Sequence, residues 1–149
     1  MPSDNPTRQE EWKWTPRAVK VISTAKAIAA PPRGISKEDL LLAMESVALQ
    51  CGDNVASRAL ARVGVHPSTA LGRPVPETCP PNRHVSPAEF DPSLSAVFPA
   101  LAIEEARGMD NDYVGIEHLL LFLARVGVPG VDLPYDRIRQ IILELMGRS

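Results

Sequence analysis

The chain has 149 residues, 44% apolar and 23% charged, and a net charge of −2. It can therefore bury an ordinary core, but its interspersed charges form no basic stripe of the kind a nucleic-acid surface needs. No stretch approaches the roughly eighteen consecutive apolar residues of a membrane span, and the polar N-terminus does not read as a signal peptide, so a soluble cytoplasmic protein is expected.

Aromatic residues are only 5% of the chain, which leaves the core to Leu, Val, Ile and Ala. Cys51 and Cys79 give no disulfide framework and are expected as thiols. His66, His84 and His118 have no spacing with them that resembles a zinc site. No metal and no cofactor is expected.

Residues 1–13 are polar, hold two prolines and lack periodicity, so they read as a tail. A helix is predicted from Thr15-Pro16, with Thr as N-cap and Pro at the first helical position. Ala18, Ile22, Ala25 and Ala29 form its inner face, and Pro31-Pro32 stops it. Ser36-Lys37-Glu38-Asp39 opens a second helix, with Ser36 capping the Asp39 amide and the acidic pair at the positive end of the dipole. Its expected stripe is Leu40, Leu41, Met44, Val47 and Ala48. Gly52 ends it, and Asp53 or Asn54 starts a short third helix that Gly64 closes.

Six prolines between 66 and 88 mark a linker or an extended strap across the surface rather than a packed element. Helical patterning returns after Asp91-Pro92, with Pro99 kinking or delaying that helix. Two more helices are expected, from about Gly115 to Val126 and from about Pro134 to Met146. In the last, Ile138, Ile141, Ile142, Leu145 and Met146 keep helical spacing. Nothing alternates with period two, so the fold class is all-α.

The two halves repeat each other. WTPRAVKVISTAKAIA followed by ISKEDLLLAMESV answers to FDPSLSAVFPALAIEEAR followed by VGIEHLLLFLARV. Each has an aromatic, a capping residue, a proline, an Ala-rich helix, a turn, and an acidic residue opening a Leu-Leu-Leu helix. Two such hairpins cannot bury their apolar faces alone and should pack on each other with pseudo-twofold symmetry. The expected division is a tail at 1–13, a first repeat at 14–65, a Pro-rich linker at 66–89 and a second repeat at 90–149.

Three fragments carry a family resemblance. The run from Asp112 to Leu121, DYVGIEHLLL, resembles the N-Y-I-G-T-E-H-L-L-L signature of the Clp repeat, found in the N-terminal domains of Clp-type protein unfoldases. Trp14 to Ala18 is similar to that repeat's aromatic-T-P-R-A opening. Gly52 to Leu60 resembles its G-E-G-V-A-A-R-V-L third helix. There are departures: Asp39 stands where the family has His, Asp91 replaces Thr, Ser93 replaces Arg and Ile116 replaces Thr. Residues 125–130 run almost directly into the final helix, so the second repeat is expected to lack the third helix and to be trimmed.

The resemblance implies a non-catalytic module that binds proteins, a substrate or degron receptor or an adaptor in regulated proteolysis. The alternative it leaves open is a structural accessory subunit of a Clp protease complex. Partners would be a Clp unfoldase or peptidase, or substrate and adaptor proteins. The sequence contains no G-x-x-x-x-G-K-[ST] phosphate loop, so a free-standing domain without ATP turnover is expected. Some relatives bind phosphorylated arginine through the glutamate of G-T-E-H and the Thr of T-P-R. Carried over, this implies a first site with Thr15 and Glu38 and a second with Glu117, impaired by Asp91. His118 beside Glu117 points about 100° away from it on the helix and is expected to be structural. Trp12 and Trp14 are candidates for a partner-binding patch, with anchoring of the first helix the other reading for Trp14.

Overall fold

The computed structural model describes residues 13–29 and 33–147. Within them lie eight α-helices and one two-stranded pairing. The first half holds β1 (Lys13–Trp14), α1 (Pro16–Ala29), α2 (Lys37–Cys51), α3 (Val55–Arg62) and α4 (Pro67–Leu71). The second holds α5 (Pro92–Ser95), α6 (Ala100–Gly108), β2 (Tyr113–Val114), α7 (Ile116–Val126) and α8 (Tyr135–Leu145).

The helix starts follow from side-chain chemistry. The Ala18 amide donates to Thr15 Oγ1 at 3.1 Å. Ser36 and Asp39 cap each other, with the Asp39 amide on Ser36 Oγ at 3.1 Å and the Ser36 amide on Asp39 Oδ2 at 2.9 Å. Asn54 and Ser57 do the same at the start of α3, at 2.9 Å in both directions. Each such cap satisfies amides the helix leaves orphaned and contributes on the order of 1 kcal/mol. Gly64, with φ 76°, takes the left-handed conformation that closes the segment after α3. Pro99 does not kink a continuous helix; it separates the single turn of α5 from α6, which begins at Ala100.

The core is built on α2 and α7. Leu40 to Met44 are all 2% exposed or less, and Leu119 to Leu123 are fully buried. The stripe expected for α2 is too narrow, because Leu42 and Ala43 are fully buried as well, while Ala48 at its end is only half-buried. Each of these leucines contributes roughly 1.5–3 kcal/mol by leaving water. On α1 the inner face is Ala18, Val21, Ala25 and Ala29, while Ile22 is only half-buried. Phe98 links an aromatic chain through the middle, with ring centroids 5.7 Å from Trp14, 4.9 Å from Phe90 and 5.4 Å from Phe122.

The pseudo-twofold relation is visible in the backbone. β1, which leads into α1, pairs in parallel with β2, which leads into α7. Ile35, which leads into α2, bridges in parallel to Phe90, which leads toward α5. The Thr15 amide donates to the Val114 carbonyl at 3.0 Å, and its counterpart, the Asp91 amide, donates to the Ile35 carbonyl at 2.9 Å. Each repeat thus crosses the entry of its first helix with the entry of its partner's second.

The helix expected to be missing from the second repeat is present as α8, which packs on α3 as its counterpart. Among the described residues the second half lacks an equivalent of α4, so it remains the shorter one.

The Pro-rich segment is more than a linker. Its start folds into α4, whose Pro67 is buried and whose Ser68 amide and hydroxyl bind the Glu45 carboxylate at 2.8 and 2.9 Å. Beyond Gly72 the chain is extended but tied down: Arg73 reaches buried Asp39 at 3.3 Å and Ser46 Oγ donates to the Pro76 carbonyl at 3.0 Å. Prolines with no amide to satisfy allow such a strap to lie on the surface while side chains of the helices beneath satisfy its carbonyls. Cys51 and Cys79 are free thiols.

Candidate functional site

The crossing of the repeats decides which candidate residues meet. Thr15 follows β1 and Gly115 follows β2, so the N-termini of α1 and α7 open at one junction. The sequence groups Thr15 with Glu38; the structure brings Thr15 to the junction of Glu117, through the Thr15 amide on the Val114 carbonyl. Glu38, on the first turn of α2, shares the other junction with Asp91, the N-cap of α5. A linear reading groups residues within a repeat, whereas the parallel bridges pair them between repeats.

The two junctions differ in charge and shape. At the α1/α7 junction the N-caps are neutral. A Cβ built on Gly115 would lie 2.7 Å from Glu117 Oε1, so the carboxylate occupies the room that a missing side chain leaves over the helix start. The Tyr113 hydroxyl donates to Glu117 Oε2 at 3.4 Å. His118 is fully buried, accepts the Gly115 amide on Nδ1 at 2.9 Å and places Nε2 2.8 Å from Asn111 Oδ1. With Nδ1 accepting, Nε2 carries the proton and donates to Asn111, and His118 is the cap of its own helix, as expected.

At the α2/α5 junction the same position is Asp39, fully buried, with Arg33 at 3.4 Å and Arg73 at 3.3 Å. Asp91 caps α5 by accepting from the Ser93 amide at 2.9 Å and hydroxyl at 2.8 Å. The Ser93 hydroxyl, then its amide, with Lys37 adding a smaller attraction, hold the Asp91 carboxyl below the usual carboxylate range. A fixed negative charge therefore stands at this helix start, where the α1/α7 junction has the neutral Thr15.

A groove of about 510 Å³ is lined both by Trp14, which leads into the α1/α7 junction, and by Phe90, which leads into the α2/α5 junction. Trp14, Ile22, Phe90, Phe98 and Pro99 form its apolar floor and one wall, and strap residues Asn82 to Val85 form the other. The prolines signal a strap, but nothing in the pattern marks this groove, whose lining comes from segments up to 85 residues apart along the chain. Trp14 is half-buried and lines it, so the aromatic serves both as anchor and as surface. Trp12 lies outside the described residues.

A second polar cluster joins the helices of the second half. The Tyr135 hydroxyl donates to buried Glu105 at 2.6 Å, and Arg125 contacts Glu104 at 3.1 Å and Glu105 at 3.5 Å. Burial first, then the Glu105 carboxylate, pushes the Tyr135 hydroxyl up to about 12. Its position between α6, α7 and α8 marks it as structural. Among the described residues no group of three or more His, Cys, Asp or Glu is placed to hold a metal ion. No described helix is long and apolar enough to cross a membrane.

No family model matches the chain. The chain is 28% identical over 147 residues to the negative regulator of genetic competence ClpC/MecB of Bacillus subtilis (strain 168), an alignment that takes in 92% of this chain and 17% of that protein. It thus spans less than a fifth of the relative's length. Among solved structures it is similar to the N-terminal domain of the caseinolytic protease associated chaperone ClpD from Arabidopsis thaliana, at 20% identity and a TM-score of 0.46, covering 92% of this chain and 86% of that one. Over 92% of its length the chain is thus similar to a part of a Clp protein, in accord with the three sequence fragments.

Proposed function

We propose that this chain is a non-catalytic receptor or adaptor domain of a regulated proteolysis system, located in the cytoplasm, which takes an extended peptide bearing phosphorylated arginine. The observation that carries the reading is the meeting of half-buried Thr15 and Glu117 at one junction between two helix N-termini. A phosphorylated guanidinium needs a carboxylate for its N–H face and amide donors for its phosphate. The Glu117 carboxylate supplies the first, and the amides of Arg17 on α1 and of Ile116 and Glu117 on α7, which face the N-terminal ends of their helices, supply the second. Apolar residues next to the modified arginine would lie in the groove along Trp14. Glu38 is the poorer ligand residue, because Asp91 repels phosphate at its junction.

Calorimetric titration with phosphoarginine tests this directly. Loss of a charge-assisted contact should weaken binding about ten- to a hundredfold in Glu117→Ala, with Glu38→Ala close to the parent. Equal binding by the parent and Glu117→Ala refutes the assignment. No binding by the parent refutes the ligand and leaves the accessory-subunit reading, tested by capture of Clp unfoldase or peptidase.

A further inference from the structure

We infer that the outer face of α1 is a binding surface for an extended, proline-containing peptide, occupied in this chain by its own strap, which acts as a displaceable in-cis ligand. Four residues of α1 at i, i+4, i+7 and i+10 hold the strap along one line. The Pro16 carbonyl accepts from Asn82 Nδ2 at 3.0 Å, and Lys20 Nζ donates to the Pro80 carbonyl at 2.8 Å. Ser23 Oγ accepts the Arg83 amide at 3.1 Å and donates to the Arg83 carbonyl at 3.3 Å. Lys26 pairs at 3.4 Å with Glu89, which also holds the Arg83 guanidinium at 2.7 Å.

Most of these contacts recognise backbone rather than side chains. Lys20 and Ser23 read an amide and two carbonyls of an extended chain, a pattern any peptide of the same conformation can satisfy. The strap adds little core: Asn82, Arg83 and His84 are exposed and Val85 is half-buried, so its attachment is polar and solvent-accessible. Segments held that way open at low free energy compared with the core. The same strap residues form one wall of the groove, so lifting them bares the Trp14, Ile22 and Phe90 surface. An incoming peptide must therefore compete with a segment tethered at high effective concentration. This inference concerns the α1 face and does not depend on the phosphoarginine reading.

The test uses a fluorescently labelled synthetic peptide of residues 79–89 added in trans to the full chain. Asn82→Ala with Arg83→Ala loosens the strap in cis while leaving the α1 receptor face intact. That chain should bind the peptide roughly tenfold or more tighter than the parent, since its own segment competes less well. Adding Ser23→Ala should take the gain away. Equal binding by parent and loosened chain, or none by either, overturns the inference. Hydrogen exchange on the parent is an independent measurement that holds even if a variant fails to fold. The Arg83 amide should exchange much faster than the amides of Leu40 to Met44; equal rates mean the strap opens only with the whole fold, and the inference fails.

Discussion

Alanine at Gly34 probes the crossing of the two repeats at a single point. Gly34 is pressed against the partner repeat: a Cβ there would stand 2.6 Å from the Asp91 amide nitrogen and 2.7 Å from the Phe90 carbonyl carbon. These are backbone atoms that cannot rotate away, so the bridge between Ile35 and Phe90 must separate. Two hydrogen bonds weaken with it, from the Ile35 amide to the Glu89 carbonyl and from the Asp91 amide to the Ile35 carbonyl, both 2.9 Å. At about 0.5–1.5 kcal/mol net for each, they give roughly 1–3 kcal/mol. Shifting buried Ile35 and Phe90 adds to this, for a total of about 2–4 kcal/mol. In a chain of this size that lowers Tm by roughly 5–15 °C, read by circular dichroism. Gly108→Ala is the control, because nothing lies within 4 Å of its Cβ position; it should be neutral or stabilise by up to about 1 kcal/mol. A Gly34→Ala chain that melts with the parent would refute the close approach and the register that goes with it.

Phe122→Ala empties the fully buried inner end of the aromatic chain and should cost about 3–5 kcal/mol in urea unfolding. Glu89 is held at about 2 in the folded chain, against 4.5, chiefly by its hydrogen bond from Arg83. A depressed folded value means that its stabilisation is present above pH 4.5 and is lost as pH falls toward 2. Glu89→Gln should therefore unfold at lower urea than the parent at pH 6, with the difference closing by pH 2. For Tyr135 the sign is opposite: its folded value, raised to about 12 from 10.0, gives a contribution present below pH 10 and lost as pH rises through 12. Spectrophotometric titration should show one of the two tyrosines ionising late, and Tyr135→Phe should remove that component.

The helix starts are legible in the sequence because capping is local chemistry. Thr15-Pro16, Ser36 with Asp39, and Asp53-Asn54 each state a boundary within four residues; the structure keeps all three and settles the last on Asn54. The repeat is legible because its aromatic, cap and leucine run recur in order. The bridges that cross the repeats are not, since strands two residues long carry no periodicity to read. A linear reading therefore groups Thr15 with Glu38 instead of Glu117. α4 is hidden by the prolines around it, one of which, Pro67, in fact begins it. The groove is invisible for a different reason: its apolar residues come from α1, the strap and the segment around Phe98, and only their convergence makes a surface.

Backbone amide shifts in nuclear magnetic resonance spectra of the chain titrated with phosphoarginine show at which junction the ligand binds. The largest shifts should fall on Thr15, Arg17 and Ala18 and on Gly115 to His118, with Trp14 following as the groove responds, while Ser36 to Asp39 and Ser93 stay still. Shifts centred on Ser36 to Asp39 and Ser93 would contradict the Glu117 assignment, because they would place the ligand at the junction that Asp91 makes negative.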